Sequence, residues 1–491
     1  MPRLVMNQQP KRAIVIGGGI TGLAASYRLT REAEKRGIPL HVTLLEASDR
    51  IGGVIHTTQR DGFLIEHGPD AFISTKPWAK ALCEELGLAD ELIGTNSTMR
   101  RSFVVQNGKL HPVPEGFYMM APGALLPFLK SPIFSWRGKL RMGLELLIPR
   151  SNGGDADESV ADFVRRRLGT EAFERMAQPM IGGIYTSDAE NLSLKATFPR
   201  FLEMERAHGS IIKALLAQKR QAKTASGTSG PRYSLFLSFT AGMQTLVDRL
   251  QQVHLTEVRG KPVHHDGSTG AYLHLNTRAT RLQQRKSGTG WQVSLADGEI
   301  LEAELLCIAL PAPQAGILCE NVSPVLAKKL QAIPYASSAT VNLAFRREEV
   351  AHPLNGMGFV VPATEELSLI GCSFSSVKFE NRAPAEHVLL RAFVQKERES
   401  SESSLTEAAL RDIANLLGIK KEPIFSLVSR HTQAMAQYQV GHQERVNEIE
   451  TLANRLPGFA LAGNAYHGIG IPDCIHSGEQ AALALLCEEN R

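Results

Sequence analysis

The chain has 491 residues, 43% hydrophobic and 21% charged, with Lys+Arg 54 against Asp+Glu 50 and a formal net charge of +4. That length exceeds what one hydrophobic core usually supports, so roughly two or three structural units are expected, and the charge balance excludes a disordered chain and a general nucleic-acid binder. Cys83, Cys307, Cys319, Cys372, Cys474 and Cys487 form no C-x-x-C pair, which argues against an iron–sulfur site, a zinc knuckle or a disulfide framework and fits a reducing cytoplasm.

Met1 to Lys11 hold no continuous apolar stretch, so no secretory signal is expected. Ala13-Ile14-Val15-Ile16 is a short apolar run with β-branched residues, the form of a central strand covered on both faces of a parallel sheet. It runs into Gly17-Gly18-Gly19-Ile20-Thr21-Gly22, which satisfies G-x-G-x-x-G, and Leu23 to Leu29 continue as a helix before Gly37 and Pro39 stop it. Gly17 makes the tight turn, Gly19 lets backbone approach a pyrophosphate, and Gly22 lets the helix pack close to the sheet. The helix N-terminus presents free N–H groups and partial positive charge to that anion. A second strand, Leu40 to Leu45, ends at Glu46, where an acid can accept hydrogen bonds from both ribose hydroxyls of a dinucleotide.

Asp49-Arg50-Ile51-Gly52-Gly53 follows, then Glu66-His67-Gly68-Pro69-Asp70. A second close backbone approach suits a longer, tightly held FAD better than NAD; the competing reading is a plain turn with Arg50 as a helix-end cation. Phe117 to Leu129 are apolar but cut by Pro122, Gly123 and Pro127, too short and broken to span a bilayer. The stretch reads equally as a surface patch touching a membrane or an apolar substrate and as a core loop entering a helix. Ser159 to Leu168 put Val160, Phe163, Val164 and Leu168 on one helical face behind an N-cap serine, and Arg165 to Arg167 read as its solvated face. Glu171 to Met176 and Gly209 to Arg220 extend the helical character, and Thr224 to Pro231 form a flexible connecting loop.

Leu273 to Leu275, Trp291 to Leu295 and Leu305 to Leu310 are strands returning to the nucleotide unit. Thr340 to Phe345 and Val388 to Val394, with a helix at Leu405 to Leu417, belong to a second sheet. Last, Phe459 to Ala462 read as a buried strand ending at Gly463 and Ser477 to Cys487 as a helix, with a glycine loop between them. Such a loop either lays backbone N–H groups against a flavin, where negative charge develops on reduction, or is a structural turn in which Asp473 and His467 cap local backbone.

On these motifs the sequence resembles the FAD-dependent amine oxidase and protoporphyrinogen oxidase superfamily, in which E-A-x-x-R-x-G-G follows the dinucleotide fold. Gly68-Pro69-Asp70, Pro179 to Tyr185, Leu192-Ser193 with Ala196 to Pro199, Gly242-Met243-Gln244 with Leu246, and Ala462 to Ile475 with Ser477-Gly478 look like successive landmarks of the oxygen-dependent porphyrinogen oxidases. Gly470-Ile471-Pro472-Asp473-Cys474 is most similar to the bacterial coproporphyrinogen III oxidases. The resemblance implies an α/β plus α+β fold: a discontinuous Rossmann-like FAD-binding domain at 1–95, 225–310 and 440–491, a mainly helical insertion at 96–224 facing a membrane or substrate channel, and a mixed-sheet substrate domain at 311–439.

It further implies an oxidoreductase with non-covalent FAD that takes six electrons from coproporphyrinogen III to give coproporphyrin III in haem biosynthesis, with oxygen as acceptor and peroxide as by-product. Protoporphyrinogen IX is the close alternative substrate, and a flavin amine oxidase or carotenoid desaturase the more distant one. FAD would be held by Gly17, Gly18, Gly19, Ile20, Thr21, Gly22, Glu46, Arg50, Gly52, Gly53, Gly68, Pro69, Asp70, Ala279 at its adenine end, Gly463, Gly470, Ile471, Pro472 and Asp473. Because a buried carboxylate without a partner is costly, Lys76, Arg100, Arg101 and Lys109 are candidates to meet the carboxylates of a cyclic tetrapyrrole. No metal spacing, no nucleophile motif and no catalytic base stand out. Expected partners are the tetrapyrrole and molecular oxygen, with peripheral contact at the inner face of the membrane and hand-off to a ferrochelatase left open.

Overall fold

Strands that are apolar on both faces need cover on both, and the alternation of side chains along Lys11–Ile16 divides that demand. Ala13 and Val15 enter one core with the helix Ile20–Arg36, while Ile14 and Ile16 enter a second core on the opposite face with Trp291, Leu306 and Leu326. The sheet built on this strand has six strands in the order Leu255–Glu257, Gly270–His274, Leu40–Leu45, Lys11–Ile16, Leu305–Ile308, Phe459–Leu461, and every pairing is parallel. Strands from near both ends of the chain thus flank Leu305–Ile308, the fifth strand of the six. The computed structural model describes residues 10–151, 156–186, 189–224, 235–258, 269–285, 289–394 and 401–487. The expected signal-free start before residue 10 and the connecting loop from 225 to 231 lie outside the described residues.

Trp291–Leu295, expected to return to this unit, does so as the middle of a separate three-stranded antiparallel layer between Ala279–Gln284 and Ile300–Ala303. It packs on the second core through Leu282, Trp291 and Val293, all fully buried. The helix expected at Ser477 to Cys487 begins earlier, at Ile471. Pro472 fits that first turn because its missing N–H is one of the amides a helix start leaves unbonded.

The second sheet has seven strands in the order Phe425–Ala436, Tyr335–Arg346, His387–Val394, Leu369–Phe374, Gly358–Val360, Phe103–Gln106, Lys109–Pro112. Its last two strands come from the 96–224 segment that the sequence reads as mainly helical; Phe103 pairs with Phe359 in parallel. The Asn107-Gly108 turn explains them: both residues have positive φ, 51° and 67°, the geometry that matches the twist of a two-residue hairpin.

The rest of that segment is helical around its own core, with Val160, Phe163 and Val164 fully buried and Ser159 Oγ accepting from Asp162 N, as the spacing requires. The arginine run is not a solvated face. Arg167 is wholly buried against Glu145, which also accepts from Ser210 and the Ile211 amide, and Arg166 bridges Glu158 and Glu205. Each buried charge survives because it is paired and hydrogen-bonded. Within Phe117 to Leu129, Met120 and Phe128 are core, whereas Leu125 and Leu126 are 65% and 71% exposed.

Candidate functional site

The helix Ile20–Arg36 starts at Gly19 with no side-chain cap and no acidic residue in its first turn, so its leading amides are left for a ligand. The glycines around it divide their tasks sterically. A Cβ on Gly17, whose φ is +110°, would lie 2.5 Å from Ala309 O, and one on Gly22 would lie 1.8 Å from Gly17 O; one on Gly19 would meet nothing within 4 Å. Gly17 and Gly22 are therefore required by the fold, and Gly19 borders open space. Glu46, expected to accept from ribose hydroxyls, is partly committed within the chain: Oε2 accepts from Gly18 N at 2.8 Å and Oε1 from Ser48 N at 2.8 Å, so it also fixes the glycine loop. Beside it a cavity of about 690 Å3 is lined by Asp49, Arg50, Asp248, Leu273 and Asn276. Asn276 and Thr277 donate backbone hydrogen bonds to Ser48 O and Glu46 O, which brings Ala279 close to this loop.

The second glycine pair closes on the first. Gly52 bridges Gly19, its N–H reaching Gly18 O at 2.8 Å, and a Cβ on Gly53 would sit 3.3 Å from Gly19 Cα. Arg50 holds this turn by donating to Ile51 O, Ile55 O and Gly53 O at 3.2, 3.1 and 2.6 Å. Gly68 is a packing glycine, because its Cβ would lie 1.7 Å from Val54 O. Beyond Pro69, Asp70 binds Lys378 through both carboxylate oxygens at 2.9 and 2.8 Å. Burial pushes the Asp70 carboxyl up, but Lys378, Arg391 and Arg382 more than offset it and hold it below its ordinary value. The Gly242-Met243-Gln244 landmark is pinned from the same region: Glu66 accepts from Met243 N and Thr57 Oγ1 from Gln244 N.

The C-terminal motif arrives beside the first. A Cβ on Gly17 would face Ala309 O, one on Gly463 would lie 3.6 Å from Leu310 O, and one on Gly478 would lie 2.3 Å from Thr21 O, so the helix Ile471–Cys487 rests directly on Ile20–Arg36. Gly463 N donates to Ser477 Oγ at 3.0 Å. Ile471, Pro472 and Asp473 form the first turn of that helix, next to Gly470. Asp473 is occupied by Lys76 at 2.6 Å, so two residues assigned separately to cofactor and substrate form one ion pair. Arg100 and Arg101 are exposed at the entrance to the seven-stranded sheet, where Arg101 O accepts from Met357 N. Lys109 is exposed on that sheet's outermost strand, at the opposite edge from Phe425–Ala436.

The sequence profile of the flavin-containing amine oxidoreductases matches residues 20–486. The chain belongs to that family. It is 34% identical to the coproporphyrinogen III oxidase of Bacillus subtilis (strain 168), covering 97% of this chain and 98% of that protein. It is 31% identical to the human protoporphyrinogen oxidase, covering 98% and 99%. A crystal structure assigned to a protoporphyrinogen oxidase of Exiguobacterium sp. 255-15 superposes with a TM-score of 0.82 at 29% identity, covering 98% of this chain and 99% of that one. Putrescine oxidase shares the fold, with a TM-score of 0.66 at 17% identity.

Polar residues outside the assigned cofactor and substrate set also adjoin these turns. Among them is His67, whose Nδ1 lies 2.9 Å from Ser429 Oγ and whose Nε2 lies 2.9 Å from Thr58 Oγ1; His56 stacks on its ring at 4.4 Å. Burial, His56 and Arg391 push the His67 pKa down to about 4, burial and Arg50 lower that of His56, and burial lowers that of His431, so the cluster is neutral at pH 7. Tyr438 is a second: its hydroxyl donates to Asn464 O and accepts from Gly468 N, both at 2.8 Å, tying the second sheet to the C-terminal glycine loop. The alternation along Phe425–Ala436 is the one sequence signal that could have found Ser429 and His431.

Proposed function

We propose that this chain oxidises coproporphyrinogen III to coproporphyrin III with bound FAD, giving electrons to molecular oxygen and releasing peroxide. The observation that carries the reading is the adjacency of the Gly17 to Gly22 and Gly463 to Gly470 turns, in a chain similar from end to end to coproporphyrinogen III oxidases. Bound FAD supplies the hydride acceptor for each two-electron round. The residues' own part is to hold and exclude. The uncapped helix start at Gly19 would receive the pyrophosphate, Glu46 and Ala279 would border the adenosine end, and the Arg50-braced turn at Gly52 and Gly53 would close over it. Gly463, Gly470 and the first turn at Ile471 and Pro472 would hold the ring, themselves kept in place by the Asp473–Lys76 pair. Arg100 and Arg101 meet substrate carboxylates from the sheet side.

The test gives the holoenzyme each porphyrinogen in air and follows porphyrin fluorescence. A higher kcat/KM for coproporphyrinogen III is expected. The 31% identity to the human enzyme makes protoporphyrinogen IX the second reading, and faster turnover of it would reverse the substrate assignment. Oxidation of a polyamine without porphyrin formation would reject the reaction class.

The reading extends to location. No helix among the described residues is long and apolar enough to cross a membrane. Yet Leu125, Leu126, Trp136, Leu140 and Leu147 are 65%, 71%, 73%, 71% and 78% exposed around an apolar groove of about 550 Å3, with Lys130, Arg137 and Arg150 exposed beside them in sequence. Exposed apolar side chains with flanking cations suit peripheral contact with the anionic inner leaflet. Co-sedimentation with anionic vesicles should fall by about tenfold or more in Trp136→Glu/Leu140→Glu; unchanged binding, or none in the parent, would reject this part.

A further inference from the structure

Three residues outside the assigned cofactor seat, Tyr335, Tyr438 and Asn464, converge on the turn between Phe459–Leu461 and Ile471–Cys487. Gly463 and Gly468 in that turn have φ of +142° and +154°, a region that other residues rarely adopt, so its backbone has glycine's freedom and needs tethers to keep one shape. Asn464 provides them from inside the turn. Its Oδ1 accepts from the Tyr335 hydroxyl at 3.1 Å, its Nδ2 donates to Ala434 O at 2.9 Å, and its own carbonyl accepts from the Tyr438 hydroxyl at 2.8 Å. Each tyrosine oxygen also accepts from one amide, Ala312 N at 3.0 Å for Tyr335 and Gly468 N at 2.8 Å for Tyr438. An amide N–H can only donate, so each phenol directs its single proton to Asn464, and only one orientation of the Asn464 side chain satisfies both of its ends. Asn464→Asp would set an oxygen against Ala434 O. Burial raises the pKa of both phenols, which keeps them protonated and able to donate.

The partners of Asn464 come from one end of the second sheet. Tyr335 opens Tyr335–Arg346, Ala434 lies in Phe425–Ala436 and Tyr438 follows that strand by two residues; the two strands are neighbours, paired at Tyr335 and Ala436. Ala312 starts the helix Ala312–Cys319, just after the Ala309 and Leu310 carbonyls that a Cβ on Gly17 or Gly463 would approach. The network therefore ties the sheet end to the C-terminal turn and to the backbone beside Gly17. We propose that Asn464, clamped by Tyr335 and Tyr438, is a positioning residue for the flavin: it holds this turn, and the start of Ile471–Cys487 behind it, where negative charge develops on reduction, and so raises the potential of bound FAD. Fixed amides and a helix N-terminus stabilise such charge only while their place is kept. The inference rests on the FAD seat proposed above.

The test compares the FAD-loaded parent with Asn464→Ala, Tyr438→Phe and Tyr335→Phe, reading flavin content, reduction potential, urea midpoint, and kcat and KM separately. Ser323→Ala, which removes the N-cap of Pro324–Gln331 and no contact of the clamp, controls for destabilisation alone. In Asn464→Ala and Tyr438→Phe reduced FAD should lose about tenfold more affinity than oxidised FAD, a fall of about 30 mV in potential, with kcat lowered and KM kept. Tyr335→Phe should shift the potential less and in the same direction, and Ser323→Ala should leave it at the parent's value. A parent-like potential in the folded clamp variants, or an equal shift in Ser323→Ala, overturns the proposal. Loss of folding in both Phe variants, each a one-atom change, assigns the clamp to stability alone and overturns it too. A parent that holds no FAD overturns the flavin reading itself.

Discussion

A methyl group added at Gly22 would strike Gly17 O, whereas one added at Gly19 would enter open space; that contrast separates a glycine the fold needs from one it does not. At the same scale, buried histidines set an acid limit. Burial lowers His67, His254 and His442 to about 4, from an ordinary 6.5. Between those values the unfolded chain binds protons that the native histidines do not, so their contribution is complete above 6.5 and falls as the pH falls toward 4. Thermal unfolding followed across that window should show a declining midpoint, less steep in His254→Gln/His442→Gln; parallel curves would contradict the assignment. Gly17 and Gly22 were legible from sequence because steric demands at fixed spacing are local. The His67–Ser429 contact was not, since 362 positions separate its partners and only the folded sheet edge brings them together.

The two helices Ile20–Arg36 and Ile471–Cys487 are the elements that align the glycine turns, and Gly478 sets their approach. Gly478→Ala must push backbone off Thr21 O, which should cost about 1–3 kcal/mol and loosen the cofactor, read by urea unfolding and flavin release. A variant as stable as the parent would show that the helices have slack there. The strand, glycine and helix order at both ends was readable from composition. The start at Ile471 was not, because Gly468 and Gly470 look like loop while Pro472 is acceptable in a first turn. The hairpin at Asn107-Gly108 carried its own turn signal, and its place on the second sheet depends on a parallel partner some 250 positions away, at Phe359. Arg167 misled for a related reason: its burial depends on Glu145, outside its own helix.

Over the whole molecule, one parallel sheet receives strands from near both ends of the chain, and Tyr438, just past the second sheet's strand Phe425–Ala436, bonds the C-terminal glycine loop at Asn464 and Gly468. The proposed FAD seat is built from Gly19 on one side and Gly463 on the other. Its most direct test is titration of the apo-protein with FAD in parent and Gly19→Val, where the added Cβ meets nothing within 4 Å and Gly19 already has extended backbone, φ −70° and ψ 175°. The parent should take one FAD per chain, and Gly19→Val should keep the apo-protein's unfolding midpoint while binding FAD at least about tenfold more weakly. A parent that takes up no FAD, or a variant that binds it as tightly as the parent, would contradict the account.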